Sequence, residues 1–225
     1  MLGDNNYGDG SPESYRHRFE DPYTPLLDAG VKFYAALGNH DPDEQWHYPL
    51  FNMGGERYYT FERRAGVPPL IGDRVQFFAA DTVNLDAAQL SWLDRELSRS
   101  TADWKIVFFH HPVYSSGRYS WSSALRRQTL EQVFVEHDVD VVFSGHEHLY
   151  ERVKPQKGVM YFVAGASGSV REGDLQASPY MAKGYDSDLS FMLIEIAGDA
   201  LYFQAINRNG ETIDQGEIVR TRPSS

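Results

Sequence analysis

The chain contains no cysteine, which excludes disulfide bonds and every thiolate-ligated metal site. Any metal bound here must be held by nitrogen and oxygen donors. Long apolar runs are missing too: none approaches the length needed to cross a bilayer, so no membrane partner is expected. Positive charge is scarce, with 21 basic against 32 acidic residues and a net charge of −11. That balance argues against nucleic acid or an anionic surface as the main partner. An anionic substrate would need a local source of positive charge, and bound cations are the obvious one. No basic-plus-apolar leader stands at the amino terminus.

What is present suits one domain. At 225 residues and 41% hydrophobic, the chain can bury a substantial core, and residues 1–225 read as a single unit. Apolar runs at 31–37, 105–109, 139–143 and 159–164 read as buried strands. Ser11-Pro12 opens a helix with a serine cap and proline at its first position; its apolar side is Phe19, Tyr23, Leu26 and Leu27, and it closes by Gly30. Asp86 caps a second helix through Leu97. Leu125, Leu130, Val133 and Phe134 mark a third, ending near His137. Residues 57–62 and 74–80 read as paired strands around Gly66-Val67-Pro68-Pro69. The stretches 190–196, 201–206 and 212–219 read as hairpin strands, with Gly198-Asp199 and Asn209-Gly210 as turns. Strand–helix alternation followed by hairpins predicts an α/β (α+β) fold, a mixed sandwich with helices outside.

The chemistry collects where the apolar runs end. Ser144-Gly145-His146-Glu147-His148 follows residues 139–143, and on an extended segment His146 and His148 point the same way. Imidazole is the commonest side-chain metal ligand near neutral pH. Gly38-Asn39-His40-Asp41 follows the run at 31–37, and His110-His111-Pro112 follows the run at 105–109. Ligand sites of parallel sheets lie beyond the carboxyl ends of the strands, so these segments converge on one end of one sheet. Gly3-Asp4-Asn5-Asn6-Tyr7 adds hard donors at the start of the chain. Successive strand residues face opposite ways, so the pattern favours His110, with His111 at the rim or packed locally and ligation by His111 instead as the lesser alternative. The Ser/Gly/Tyr segment 115–123 is expected to lie over the site. Trp46, His47 and Tyr48 either line its mouth or pack within their loop.

With these residues in view, the chain resembles the calcineurin-like metallophosphoesterases and, within them, the purple acid phosphatases. Gly3-Asp4…Tyr7, Gly38-Asn39-His40-Asp41, Val107…His110 and Gly145-His146…His148 match, in order, the G-D-x-x-Y, G-N-H-[DE], V-x-x-H and G-H-x-H motifs. The resemblance implies a four-layer α/β/β/α sandwich of two mixed sheets flanked by helices. It also implies a two-metal hydrolase of small phosphate monoesters. Asp4 would bridge the ions. Tyr7 and His148 would bind a ferric iron, and Asn39, His110 and His146 a divalent iron, zinc or manganese. His40 would give a proton to the leaving group, with Asp41 orienting it. The family's first motif, D-x-G, has no match, so the expectation is a chain lacking an amino-terminal strand–helix portion and one ligand of the first metal.

The chemistry stands beside the name. Phosphate esters resist attack, and two cations about 3.5–4 Å apart bind phosphoryl oxygens, acidify a water and brace an in-line displacement. A phenolate such as Tyr7 suits a hard trivalent ion. Two alternatives stay open: a phosphodiesterase on the same fold, which differs in pocket width, and a metal-poor binding domain. The family's habit is a secreted or periplasmic location.

Overall fold

Residues 1–64 and 72–220 are described by a computed structural model, and the expected loop Gly66-Val67-Pro68-Pro69 lies outside them. Seven strands form the larger sheet: β1 (Tyr59–Arg64), β2 (Arg74–Ala79), β3 (Trp104–Phe109), β4 (Val141–Ser144), β5 (Tyr150–Val153), β6 (Met160–Ala164) and β7 (Met181–Tyr185). Their order is β1-β2-β3-β4-β6-β5-β7. The centre, from β2 through β3 and β4 to β6, is parallel, and the two margins are antiparallel. Every residue of β3 is buried, as expected of a parallel strand covered on both faces.

The alternation of side chains along β3 decides what lies on each face. Val107 and Phe109 pack with Leu93, Leu97, Leu130 and Phe134 of two helices, α3 (Ala87–Arg99) and α4 (Ser120–Glu136). Trp104 and Ile106 face the other way, against Leu201, Phe203 and Ala205 of a second sheet. That sheet is an antiparallel meander, β8 (Ser190–Ala197), β9 (Ala200–Asn207) and β10 (Thr212–Val219). Its turns use Gly198 and Gly210 at φ 61° and 82°, the left-handed conformation expected of hairpin glycines. Asp86 caps α3 by accepting the Gln89 N–H at 2.8 Å.

Several expectations need correction. Residues 31–37 form no ladder: the segment is extended but pairs only through a bridge between Ala36 and Leu2, and its partners are loops. The first helix begins as expected at Ser11, with α1 (Pro12–Tyr15), but widens to a π-turn over Arg16–Glu20 before α2 (Asp21–Asp28). Pro22 and Pro25 lack the N–H groups that would bond back to Arg18 and Asp21, so regular α-geometry is interrupted there. Helix α4 starts at Ser120, inside the stretch read as loop, and Leu125 is 68% exposed, so it does not belong to the apolar face. Strands β5 and β7 were not read from the sequence.

Leu93 is fully buried between helix and sheet. Leu93→Ala is expected to lower unfolding free energy by about 2–5 kcal/mol in urea titration, while Asp86→Ala, which removes only a cap, costs about 1 kcal/mol.

Candidate metal centre

His110 leaves β3 in the register of Ile106 and Phe108 and so turns inward, as the alternation predicts. Its Nδ1 lies 2.8 Å from the Leu2 carbonyl oxygen. A carbonyl can only accept, so Nδ1 carries the proton and the Nε2 of the neutral ring presents a lone pair. That lone pair meets Asn39 Oδ1 at 3.0 Å, His146 Nδ1 at 3.2 Å and Asp4 Oδ1 at 3.3 Å. His146 Nδ1 also lies 3.1 Å from Asn39 Oδ1. Oxygen and nitrogen acceptors therefore converge with too few protons to separate them, an arrangement that a cation would satisfy. A ring nitrogen donating to a backbone carbonyl is also how metal-ligating histidines are usually oriented. The residues present fit a metal.

A second group joins through the other oxygen of Asp4. Its Oδ2 accepts the Tyr7 hydroxyl at 2.7 Å, and the same hydroxyl lies 3.3 Å from His148 Nε2. Asp4 thus touches both groups, the position expected of a bridging carboxylate. Burial alone would raise its pKa, but the His40 N–H and the Tyr7 hydroxyl lower it, and a proton on His110 Nε2, where no cation takes its place, would hold it well below the usual carboxylate range. Burial pushes His146 down to about 4, and burial with the charge of Arg171 lowers His148. Both rings are therefore kept in the neutral form that binds metal.

The loops approach closely for reasons visible in their glycines. A Cβ on Gly38 would stand 2.0 Å from the Asp4 amide nitrogen, and one on Gly165 would stand 2.2 Å from the Glu147 carbonyl oxygen. Two ligand candidates sit in the left-handed region, Asp4 at φ 54° and His146 at φ 66°, a strain of the kind that gathers at functional sites.

His40 is exposed and stacks on Tyr7 with ring centroids 5.0 Å apart; its backbone N–H donates to Asp4 Oδ1 at 2.9 Å. Most of the hydrogen bonds to Asp41 come from the backbone. No hydrogen bond joins it to the His40 ring among the described residues. Instead its carboxylate accepts from the backbone N–H groups of Asn5 at 2.5 Å, Asn6 at 2.9 Å and Gly38 at 2.8 Å, tying two ligand loops together. Burial outweighs these bonds and raises its pKa.

His111 is buried, with its N–H donating to Thr82 Oγ1 at 2.8 Å and its ring centroid 4.4 Å from that of His146. Its ligand nitrogen, with those of His110 and His146, falls in a group within 4.8 Å, so it stands nearer the centre than the sequence suggested. Burial pushes it down to about 3. Trp46 donates to its neighbour His47 at 3.1 Å, and neither lines the cavity of about 1160 Å³ that opens beside Asp4, Tyr7, His110, His146 and His148.

Sequence reasoning missed three further groups. Glu147, between the two ligand histidines, is buried and accepts the Tyr119 N–H at 2.6 Å. Glu151 is buried and accepts the Ser116 N–H at 2.7 Å. Together they pin the segment 115–119, placing the Tyr119 ring 5.0 Å from that of His146. Arg171 donates its backbone N–H to the His148 carbonyl at 3.1 Å. The place of Glu147 between two histidines was the signal available for it; no spacing marked Glu151 or Arg171.

Comparison with known proteins agrees with this fold. The family described as "Calcineurin-like phosphoesterase" matches residues 1–150. The chain is similar to tartrate-resistant acid phosphatase type 5 of Rattus norvegicus, 22% identical over 97% of this chain and 77% of that one. Among solved structures it superposes on GAP50, the anchor in the inner membrane complex of Plasmodium, with a TM-score of 0.79 at 21% identity over 97% and 76% of the two chains. It superposes on purple acid phosphatase PPD1 of Lupinus luteus with a TM-score of 0.74 at 18% identity, over 98% of this chain and 46% of that one.

Replacing Asp41 by Asn puts an amide where three backbone donors need acceptors. The expected outcome is a loss of about 1–3 kcal/mol in unfolding free energy, measured by urea titration; a drop in activity at unchanged stability would return Asp41 to the role of orienting His40.

Proposed function

The chain belongs to the calcineurin-like phosphoesterase family, and from that membership we propose that it hydrolyses phosphate monoesters at the Asp4–His110–His146 cluster. The observation that carries this reading is the unprotonated Nε2 of His110 facing Asn39 Oδ1 and Asp4 Oδ1 at 3.0 and 3.3 Å. Asn39, His110 and His146 would hold a divalent zinc, iron or manganese, Tyr7 and His148 a ferric iron, with Asp4 shared. When bound, the ions supply charge neutralisation and a water acid enough to attack phosphorus near neutral pH.

The side chains do the rest. Neutral Asn39, His110 and His146 leave their side of the site net positive toward a phosphate dianion, which a protein of net charge −11 otherwise repels. Attack forms a new P–O bond as the P–O bond to the leaving group breaks, and the departing alkoxide needs a proton. His40 is exposed at the rim and free of any side-chain hydrogen bond among the described residues, so its ring is available to give that proton. Its stacking on Tyr7 holds it over the centre. The Tyr119 ring stands 5.0 Å from that of His146, in a segment fixed by Glu147 and Glu151.

Two variants separate the roles. His146→Ala is expected to lose bound metal, read by elemental analysis, and with it turnover of p-nitrophenyl phosphate; near-normal turnover at saturating metal would remove His146 from the ligand set. His40→Ala is expected to keep its metal and lose about 10²–10⁴ in kcat. A protein that binds metal yet prefers bis-p-nitrophenyl phosphate would instead be a diesterase.

A further inference from the structure

The cavity beside the metal centre has a floor that follows from strand register. Ile106, Phe108 and His110 share one face of β3. Phe77 pairs with Ile106, Phe61 with Phe77, and Phe143 with Phe108. Cross-strand partners point to the same face of a sheet, so apolar side chains from β1, β2, β3 and β4 spread out below the His110 ring. All of them line the cavity of about 1160 Å³, a volume above the roughly 300–1,000 Å³ that holds a drug-sized ligand. From His110 to Ile106 the strand runs about 13 Å. Met192 and Ile194 of β8 close the opposite side, and Tyr34 stands at the flank.

Two properties of the lining point to what it holds. Phe61, Phe77 and Phe143 are only half-buried, although Phe77 and Phe143 stand on the face turned toward the second sheet. Contiguous apolar surface left to water is costly, and an apolar group laid on it offsets that cost. The charge is one-sided as well. Arg18, Lys32 and Arg63 line the cavity, and Asp4, which touches both ligand groups, is the only acidic residue to do so among the described residues. The Arg63 guanidinium carbon lies 4.8 Å from the centroid of the Tyr34 ring and 5.2 Å from that of Phe61, which holds its charge at the edge of the aromatic floor. In a chain of net charge −11, this lining suits an anion, and its floor suits an anion with an apolar body.

We propose that the substrate is an amphiphile, a phosphate monoester of a long or bulky apolar alcohol. Its phosphate sits at the Asp4–His110–His146 cluster, and its apolar group lies along Phe108, Phe143, Ile106, Phe77 and Phe61. This deepens the phosphomonoesterase reading and rests on it. Each methylene moved from water onto the floor adds affinity with no new polar contact, so discrimination among esters comes from length and bulk and not from hydrogen bonds.

The test measures steady-state kinetics of the full chain on n-butyl, n-hexyl and n-octyl phosphate, which share one leaving-group chemistry and differ in apolar length. The expected kcat/KM rises about three- to fourfold per methylene, or about 10²-fold from butyl to octyl. Phe77→Ala, with metal content and thermal stability measured alongside, is expected to flatten that rise, and Phe77→Leu, which keeps an apolar floor, to retain most of it. If Phe77→Ala does not fold, Ile194→Ala on the opposite wall takes its place. A parent chain that shows no dependence on length overturns the proposal. So does a dependence that the floor and wall variants leave unchanged, because the alkyl group then lies elsewhere. Calorimetric titration with butyl- and octylphosphonate, which cannot be hydrolysed, separates this proposal from the reading it rests on. Tighter binding of octylphosphonate with no ester cleaved removes the phosphatase reading and leaves the cavity with its amphiphile. Equal binding of the two, with ready cleavage of p-nitrophenyl phosphate, keeps the phosphatase and overturns the amphiphile.

Discussion

The bond from His110 Nδ1 to the Leu2 carbonyl at 2.8 Å is the constraint on which the centre depends. By fixing which ring nitrogen carries the proton, it makes the other one an acceptor and turns a cluster of polar atoms into a ligand set. It also joins the end of β3 to the segment that carries Asp4. That segment has almost no sheet of its own, only the Leu2–Ala36 bridge. Without this bond, the segment that carries Asp4 would still be held to the loop around Gly38 and Asp41 but would lose a tie to the end of β3, and the 3.3 Å approach of Asp4 to His110 would loosen.

The remaining geometry is secured by groups that never reach a ligand. Asp41 collects backbone donors from both amino-terminal loops, and Glu147 and Glu151 do the same for the segment 115–119. These carboxylates, half-buried at Asp41 and buried at Glu147 and Glu151, act as connectors, and burial raises the pKa of each. Left-handed backbone at Asp4 and His146 costs of order 1–3 kcal/mol per residue. The parallel core beneath, buried throughout β3, is rigid enough to offset it. Stability in the sheet and strain in the loops are thus two parts of one arrangement.

What could be read from the sequence follows from how local each signal is. The strands β3, β4 and β6 and the inward turn of His110 come from apolar runs and their alternation, which residues carry by themselves. The segment 31–37 has the same composition as a strand, yet a strand also requires a paired edge, and composition does not specify partners. Leu125 stands five residues before Leu130 and nine before Phe134, on the other side of α4 from both, so it is exposed. Strands β5 and β7 escape notice because Tyr150–Val153 and Met181–Tyr185 are short, and charged residues interrupt both. Asp41 was assigned to its neighbour His40, whereas the structure spends its oxygens on Asn5 and Asn6, more than thirty positions away.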